Sequence, residues 1–115
     1  MGEAGESAAL AHLLAGGMRL VARDWRCHLG QLDLVCEEAG NLVAVEVKAR
    51  RGDGFGLPQE AVDRRKQAKL RMLLEAFRIA SGRREQPCRI DVVAVRFDRE
   101  LRPLSCEHIR DAVGG

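Results

Sequence analysis

Residues 30–50 read GQLDLVCEEAGNLVAVEVKAR, and this stretch decides the fold. It contains two runs rich in apolar and β-branched residues, 31–37 and 42–49, which are typical of strands. Gly40 and Asn41 lie between the runs and are one of the residue pairs that favour a two-residue hairpin turn. The stretch therefore predicts two antiparallel strands joined by a tight turn.

A turn at that position determines which residues face each other across the hairpin. Asp33 is then opposite Lys48, and Val35 is opposite Glu46. Because side chains alternate along a strand and paired residues point to the same side, one sheet face is predicted to present Asp33, Glu46 and Lys48 together. The other face of the second run consists of valines, which are typical of a core.

These charged residues occur in a run that is otherwise apolar enough to be a central strand. Charged groups are rarely buried there unless they are paired or bound to a metal. The carboxylates of Asp33 and Glu46 suit a hard cation such as Mg²⁺, and the backbone carbonyl of Val47 offers a further oxygen. Lys48 beside such an ion would orient or activate the attacking water and offset charge on a phosphate. A salt-bridged sheet face is an equally good interpretation, since E-x-K is a very short pattern.

The remaining elements place this hairpin in a single α/β domain of residues 1–115. Apolar periodicity predicts helices over 3–16 and 59–81 and strands over 18–25 and 88–97. The tail after the last strand has a weak pattern that fits either a short strand or a helix. The resulting order αβββαβ predicts a mixed central sheet flanked by helices.

The charges of the chain nearly cancel, since 19 Lys and Arg residues oppose 17 Asp and Glu residues and leave a net charge of +2. Bulk charge therefore does not indicate a nucleic-acid partner. The four cysteines form no CxxC pair, which excludes zinc-ribbon spacing. No basic and apolar leader is visible, and no apolar run approaches the length of a membrane span. We expect a cytoplasmic protein without membrane contact.

Basic residues cluster in the predicted second helix and in the loop before it. The helix carries Arg64, Arg65, Lys66 and Lys69. These residues either contact backbone phosphates or form an ordinary solvated helix face. Arg50 begins a glycine-rich segment, 50–58, that is either a loop at the mouth of the site or a plain connector. Aromatic residues make up 3% of the chain and Tyr is absent, so recognition by base stacking is not expected.

Five short motifs occur in order along the chain. They are Gly5-Glu6, G-x-L-D-L-V from Gly30, V-A-V-E-V-K-A-R from Val43, F-G from Phe55 and R-I-D-V-V from Arg89. In these motifs the chain resembles the YraN-like family of uncharacterised bacterial proteins, UPF0102, which is similar to the Holliday-junction resolvases of the PD-(D/E)xK nuclease superfamily. The resemblance spans nearly the whole chain and implies a restriction-endonuclease-like fold.

The resemblance also assigns roles to individual residues. In that superfamily the Asp and the Glu of E-x-K bind the metal and the Lys assists catalysis, which implies these roles for Asp33, Glu46 and Lys48. Glu6 matches a first-helix glutamate that commonly completes the metal site, although an ordinary acid in the first turn of a helix would look the same. Gln31 departs from the family, which usually has a glutamate there, so metal affinity or the positioning of Asp33 is expected to differ.

The function expected on these grounds is hydrolysis of phosphodiester bonds in branched or structured DNA by a Mg²⁺- or Mn²⁺-dependent endonuclease. A domain with one site implies a homodimer if two strands are to be cut. Two other interpretations remain open, a nucleic-acid-binding module with a weak or inactive site and a protein-interaction scaffold on the same fold.

Overall fold

The computed structural model describes residues 2–52 and 62–113. These residues form two helices and five strands: α1 Gly2–Ala15, β1 Arg19–Cys27, β2 Gly30–Glu38, β3 Asn41–Arg51, α2 Arg64–Ala80, β4 Cys88–Phe97 and β5 Pro103–Ile109. The predicted α/β class, a mixed sheet with helices packed against it, is confirmed and is compatible with the restriction-endonuclease-like fold. The tail forms the strand β5, which extends the predicted order to αβββαββ.

The sheet has the strand order β1-β2-β3-β4-β5. β3 and β4 are parallel, and the other neighbouring strands are antiparallel. A parallel pair needs a long crossover connection, and α2 lies within the one between β3 and β4. β3 is therefore a central strand with partners on both sides, which accounts for its apolar sequence.

Each face of the sheet has its own apolar cluster. On one face α1 packs through Ala9 and Leu13 against residues of β2, β3 and β4. On the other face α2 packs through its buried side chains Leu70, Leu73, Leu74 and Phe77. Phe77 meets Trp25 edge to face, with ring centroids 5.3 Å apart. Because both faces are covered, the strand register is specified from both sides.

The turn between β2 and β3 lies one residue earlier than predicted. Ala39 and Gly40 occupy it with φ values of 50° and 84°, as a tight primed turn requires. Glu38 pairs with Asn41, and the Asn41 side-chain amide donates to the Glu38 carbonyl at 3.4 Å. The predicted turn at Gly40 and Asn41 is therefore wrong, because the left-handed conformation begins at Ala39.

The predicted pairing of Asp33 with Lys48 is wrong for the same reason. Val35 pairs with Ala44 rather than with Glu46, which shifts the two strands by two residues relative to the prediction. This register places both Val35 and Ala44 in the apolar cluster under α2. Because side-chain direction repeats every two residues, the shift leaves each side chain of β3 on its predicted face.

The helix α2 begins later than predicted. The Asp63 carboxylate accepts the Lys66 N–H at 2.9 Å and caps the helix, which starts at Arg64. The first three positions predicted as helical, 59–61, lie outside the described residues. Neither of the described helices has the length and apolar character that a membrane crossing requires.

The strand β3 is longer than predicted. It stays paired with β4 as far as Arg51 and Phe97, so Arg50 belongs to a strand and not to the predicted loop. The loop was predicted from the glycines and the proline of 50–58, and pairing with β4 carries the strand two residues into that segment. Residues 53–58 of the predicted loop, with its F-G motif, lie outside the described part of the chain.

A buried carboxylate, Asp91, attaches the C-terminal tail to the core. Its side chain is 0% exposed. It accepts hydrogen bonds from Arg89 Nε at 2.9 Å and from the Asp111 N–H at 2.8 Å, and His108 Nε2 lies 2.7 Å from its second oxygen. The charge of Asp91 is thus both paired and hydrogen-bonded, which is the condition for burying it.

Replacing this carboxylate should destabilise the protein strongly. Asp91→Ala is expected to lower the free energy of unfolding by about 3 to 5 kcal/mol, because it leaves buried polar partners unpaired. Urea unfolding would measure the change. Glu100→Ala, which removes an exposed ion pair with Arg102, should change stability by only about 0.5 kcal/mol. Similar small losses in both variants would contradict the assigned role of Asp91.

Candidate functional site

The strands β2 and β3 separate where the predicted site lies. Their pairing ends at Leu34 and Val45, whereas β3 stays paired with β4 as far as Arg51. Asp33 and Glu46 are therefore the first residues beyond the last β2–β3 pair. The sheet opens at this point, so side chains and backbone groups of both strands line one opening.

The strand β2 is irregular at Asp33. Leu32 belongs to the apolar cluster under α2 and Leu34 to the cluster under α1, although regular alternation would put both on one side. Asp24 of β1, which faces this point, has a φ of 53°. Asp33 Oδ2 accepts the N–H of Val47 at 2.9 Å. The irregularity thus directs the Asp33 carboxylate toward β3, as strand distortions beside functional sites often do.

Glu46 is buried, with 7% of its surface exposed. Lys66 of α2 lies on the same face, and its Nζ is 3.1 Å from Glu46 Oε2. This ion pair lacks hydrogen-bond geometry, and Glu46 Oε2 has no hydrogen-bond partner in the described part of the chain. Asp91, which is buried more completely, is bonded at both oxygens. Glu46 is therefore less completely hydrogen-bonded than Asp91.

The environment of Glu46 makes its ionisation unfavourable and raises its pKa to about 7. Burial is the largest cause, because the charged form is disfavoured away from water. Interaction with the Asp33 carboxyl group acts in the same direction, and Lys66 acts against both. The carboxyl groups of the two separating strands are therefore close enough to interact.

Lys48 points to the same face as Glu46. β3 and β4 pair regularly from Glu46–Val92 to Lys48–Ala94, so the alternation of β3 is unbroken here. The side chain of Lys48 is half-buried. The ion-pair partner of Glu46 is nevertheless Lys66 and not Lys48. Two lysines thus share one face with Glu46.

Glu6 approaches the opening from the α1 side. Gly5 is buried against β3, where a Cβ would lie 3.3 Å from Ala49 Cβ, so the missing side chain lets the helix pack closely. Burial raises the pKa of Glu6, and the negative charge of Asp33 raises it further. Arg23 Nε lies 3.7 Å from Glu6 Oε1 and opposes this shift. Glu6 is therefore within electrostatic reach of Asp33.

The predicted metal ligands differ in how closely they are associated with one another. Asp33 raises the pKa of both Glu46 and Glu6, whereas Glu46 is not among the groups that shift the pKa of Glu6. Across residues 2–52 and 62–113, no three His, Cys, Asp or Glu side chains are gathered so that they could hold a metal ion. A metal at Asp33 and Glu46 would need backbone or water oxygens to complete its coordination, as Mg²⁺ commonly does.

The predicted phosphate-binding residues lie at the start of α2 and at the end of β3. The first turn of α2 carries Arg64, Arg65 and Lys66 and no acid. Cations are unfavourable at this end of a helix, because it is the positive end of the helix dipole. Lys69 is exposed one turn further along α2, and Arg50 is exposed on β3.

Two features of the site were missed from the sequence. The first is Asp24, which lines a surface pocket together with Glu6 and Gln31. Its left-handed backbone lies in the middle of a strand and could not be predicted from the alternation of apolar and polar residues. The Lys66–Glu46 contact joins two distant segments of the chain. The excess of cations in the first turn of α2 was one signal for it.

The raised pKa of Glu46 predicts a stability difference that depends on pH. The stability contributed by Glu46 should be complete below its ordinary pKa of 4.5 and be lost as pH rises through about 7. Glutamine imitates the protonated group and avoids this loss. Glu46→Gln should therefore raise the free energy of unfolding at pH 8.5 by about 1 to 3 kcal/mol.

Urea unfolding in EDTA at pH 5 and pH 8.5 would measure this difference. At pH 5 the wild type and Glu46→Gln should differ much less, because Glu46 is then protonated in the folded state. Glu85→Gln, at an exposed position, serves as the control and should behave like the wild type at both pH values. A stabilisation that is the same at both pH values would contradict the prediction.

The sequence profile of the uncharacterised protein family UPF0102 matches residues 5–95. A UPF0102 protein of Pelotomaculum thermopropionicum is 43% identical over 112 residues, which cover 97% of this chain and 93% of the relative. A UPF0102 protein of Clavibacter michiganensis subsp. michiganensis is 46% identical over 112 residues, which cover 97% and 94%. One from Moorella thermoacetica is 41% identical over 111 residues, which cover 96% and 92%. The chain belongs to the UPF0102 family.

Proposed function

We propose that this protein is a metal-dependent endonuclease that hydrolyses phosphodiester bonds of branched or structured DNA with Mg²⁺ or Mn²⁺. The observation that carries the proposal is Glu46, a buried carboxylate beside Asp33 whose Oε2 has no hydrogen-bond partner in the described part of the chain. A purely structural acid at such depth would have its hydrogen bonds satisfied, as those of Asp91 are. A divalent cation bound there would complete the surroundings of Glu46 Oε2, whose nearest described charge is the Lys66 ammonium group at 3.1 Å.

The donor set fits a hard cation. Asp33 and Glu46 supply carboxylate oxygens, and Mg²⁺ is often bound by one or two carboxylates together with several waters. The N–H of Val47 points to Asp33, and in a strand the carbonyl of the same residue points to the same edge. The Val47 carbonyl thus faces the opening and is a suitable third oxygen. Glu6 would act from the α1 side, through its proximity to Asp33.

The chain's own residues would then divide the remaining tasks. The bound ion would supply Lewis acidity toward the phosphate and acidify a water molecule. Lys48 would orient the attacking water and offset charge on the phosphate, since it lies on the same face as Glu46. The Asp33–Val47 hydrogen bond would hold the two separating strands at a constant distance during this reaction.

The basic residues next to the site support a nucleic-acid substrate. Arg64 and Arg65 are exposed in the first turn of α2, the same turn whose Lys66 contacts Glu46. The positive end of the helix dipole and these guanidinium groups both favour phosphate. Arg50 and Lys69 would extend the contacts along the backbone, so DNA affinity should depend on salt concentration. Because each chain has one such site, cutting two strands would require a homodimer.

A second candidate function is a nucleic-acid-binding module with an inactive site. Gln31 favours it, because this neutral residue lies in the pocket next to Glu6 and supplies no negative charge there. The lack of a three-ligand cluster within the described residues also favours it. Such a protein would bind DNA through the α2 cations in the presence of EDTA and would not cut it.

A cleavage assay on four-way junctions, flaps, single strands and linear duplex would test the proposal. We expect wild type to cut a branched or structured substrate with Mg²⁺ or Mn²⁺. Asp33→Asn and Lys48→Met should each reduce the rate at least about 100-fold, because they remove charge aimed at the reacting phosphate. Glu85→Gln, at an exposed position, is the matched control and should cut like wild type.

Two other results would decide against nuclease activity. If wild type cuts none of these substrates with either metal and binds no divalent cation, the proposed function is wrong. If it also binds DNA in EDTA, and Asp33→Asn binds equally well, the protein is the binding module instead.

A further inference from the structure

The ion pair between Lys66 and Glu46 joins two side chains of very different exposure. Lys66 Nζ lies 3.1 Å from Glu46 Oε2, and the side chains are 43% and 8% exposed respectively. Glu46 is buried on a central strand, whereas Lys66 has a flexible side chain that is partly exposed to solvent. Breaking the contact therefore requires movement of only the lysine side chain.

The backbone of Lys66 is anchored independently of its ammonium group. Its N–H donates to the Asp63 carboxylate at 2.9 Å, which closes the N-terminal cap of α2. A cation in this first turn is unfavourable for the helix itself. The position of Lys66 thus contributes little to helix stability, and the carboxylate of Glu46 is the partner that accounts for it.

The ammonium group contacts Oε2, one of the two oxygens that Glu46 could offer a metal. Glu46 Oε2 is the atom without a hydrogen-bond partner in the described residues, and Lys66 approaches it without forming one. A divalent cation bound by Glu46 would repel the ammonium group at this distance. Lys66 and the metal would therefore compete for the charge of one carboxylate.

We propose that Lys66 is an exchangeable counterion of Glu46, which neutralises the buried carboxylate before metal binds and leaves it when metal binds. This inference rests on the proposed metal site. Lys66 is then a positioning residue that acts through Glu46 and weakens metal affinity by competition. The same contact stabilises the metal-free fold, so removing it should have opposite effects on the two properties.

The test compares Lys66→Met with Lys69→Met by calorimetric titration of Mn²⁺ and Mg²⁺ at pH 8.5. Lys69 is one turn further along the same helix, and its Cε packs beside Gly30 rather than beside Glu46, so the two variants are matched. Lys66→Met should bind metal at least about fivefold more tightly than wild type, because its competitor is gone. Lys69→Met should bind metal as wild type does.

Thermal unfolding in EDTA at the same pH supplies a readout that does not need metal. Lys66→Met should unfold at a temperature lower by about 4 °C, since Glu46 has lost its neutralising partner. The same substitution in a Glu46→Gln background should have almost no effect, which separates this role from ordinary packing of the lysine stem. Saturating Mn²⁺ should restore Lys66→Met to the stability of metal-bound wild type.

The outcomes separate this inference from the metal site itself. Wild type that binds metal, with Lys66→Met binding equally or more weakly, would overturn the counterion role and leave the site intact. Failure of both proteins to bind metal would overturn both. If Lys66→Met folds only when Mn²⁺ is added, the counterion role is supported, and a chain that stays unfolded with saturating Mn²⁺ would contradict it.

Discussion

A carboxylate buried beside a second carboxylate is the constraint on which this structure depends. Ionised Glu46 is unfavourable inside the sheet, and the nearby Asp33 makes it more so. The fold maintains this arrangement by separating β2 from β3 beyond the Leu34–Val45 pair and by directing Asp33 to the Val47 N–H. Lys66, which belongs to the neighbouring helix α2, then compensates part of the negative charge of Glu46.

The two buried acids of the described residues differ in how completely their carboxyl groups are hydrogen-bonded. Asp91 is saturated by Arg89, His108 and the backbone of the tail, and it holds β4, β5 and the C-terminal segment together. Glu46 pairs with Val92, the residue after Asp91, at the point where β2 and β3 separate. Its Oε2 has no hydrogen-bond partner in the described part of the chain. One carboxylate therefore attaches the tail to the core, and the other is the proposed metal ligand.

Local patterns were enough to predict most of the fold and the face of the sheet that carries the charged residues. The predicted register was wrong, because the choice between a turn at Ala39 and one at Gly40 depends on packing against both helices. The predicted faces of the β3 side chains are nevertheless correct, because the register was wrong by two residues and side-chain direction repeats every two residues. Alternation could not predict the irregularity at Asp33, which involves the left-handed Asp24 on the neighbouring strand.

Contacts between distant segments were the part that the sequence could not supply. Lys66 was predicted as a phosphate ligand, and only the packing of α2 across the sheet places it against Glu46. The start of α2 is marked by one hydrogen bond, which the Lys66 N–H donates to the Asp63 carboxylate, and the strand β5 depends on pairing with β4. The identity of the site residues came from motif resemblance and a shared strand face, and their roles are proposals.

The central claim is that Asp33 and Glu46 hold one divalent cation. The most direct measurement is the position of Mn²⁺, located by its anomalous scattering in crystals of the wild-type protein grown above pH 7. The account predicts one peak in direct contact with carboxylate oxygens of both residues, on the side that the Val47 carbonyl faces. Saturating Mn²⁺ with no peak between these carboxylates, or with peaks only at other places, would contradict it.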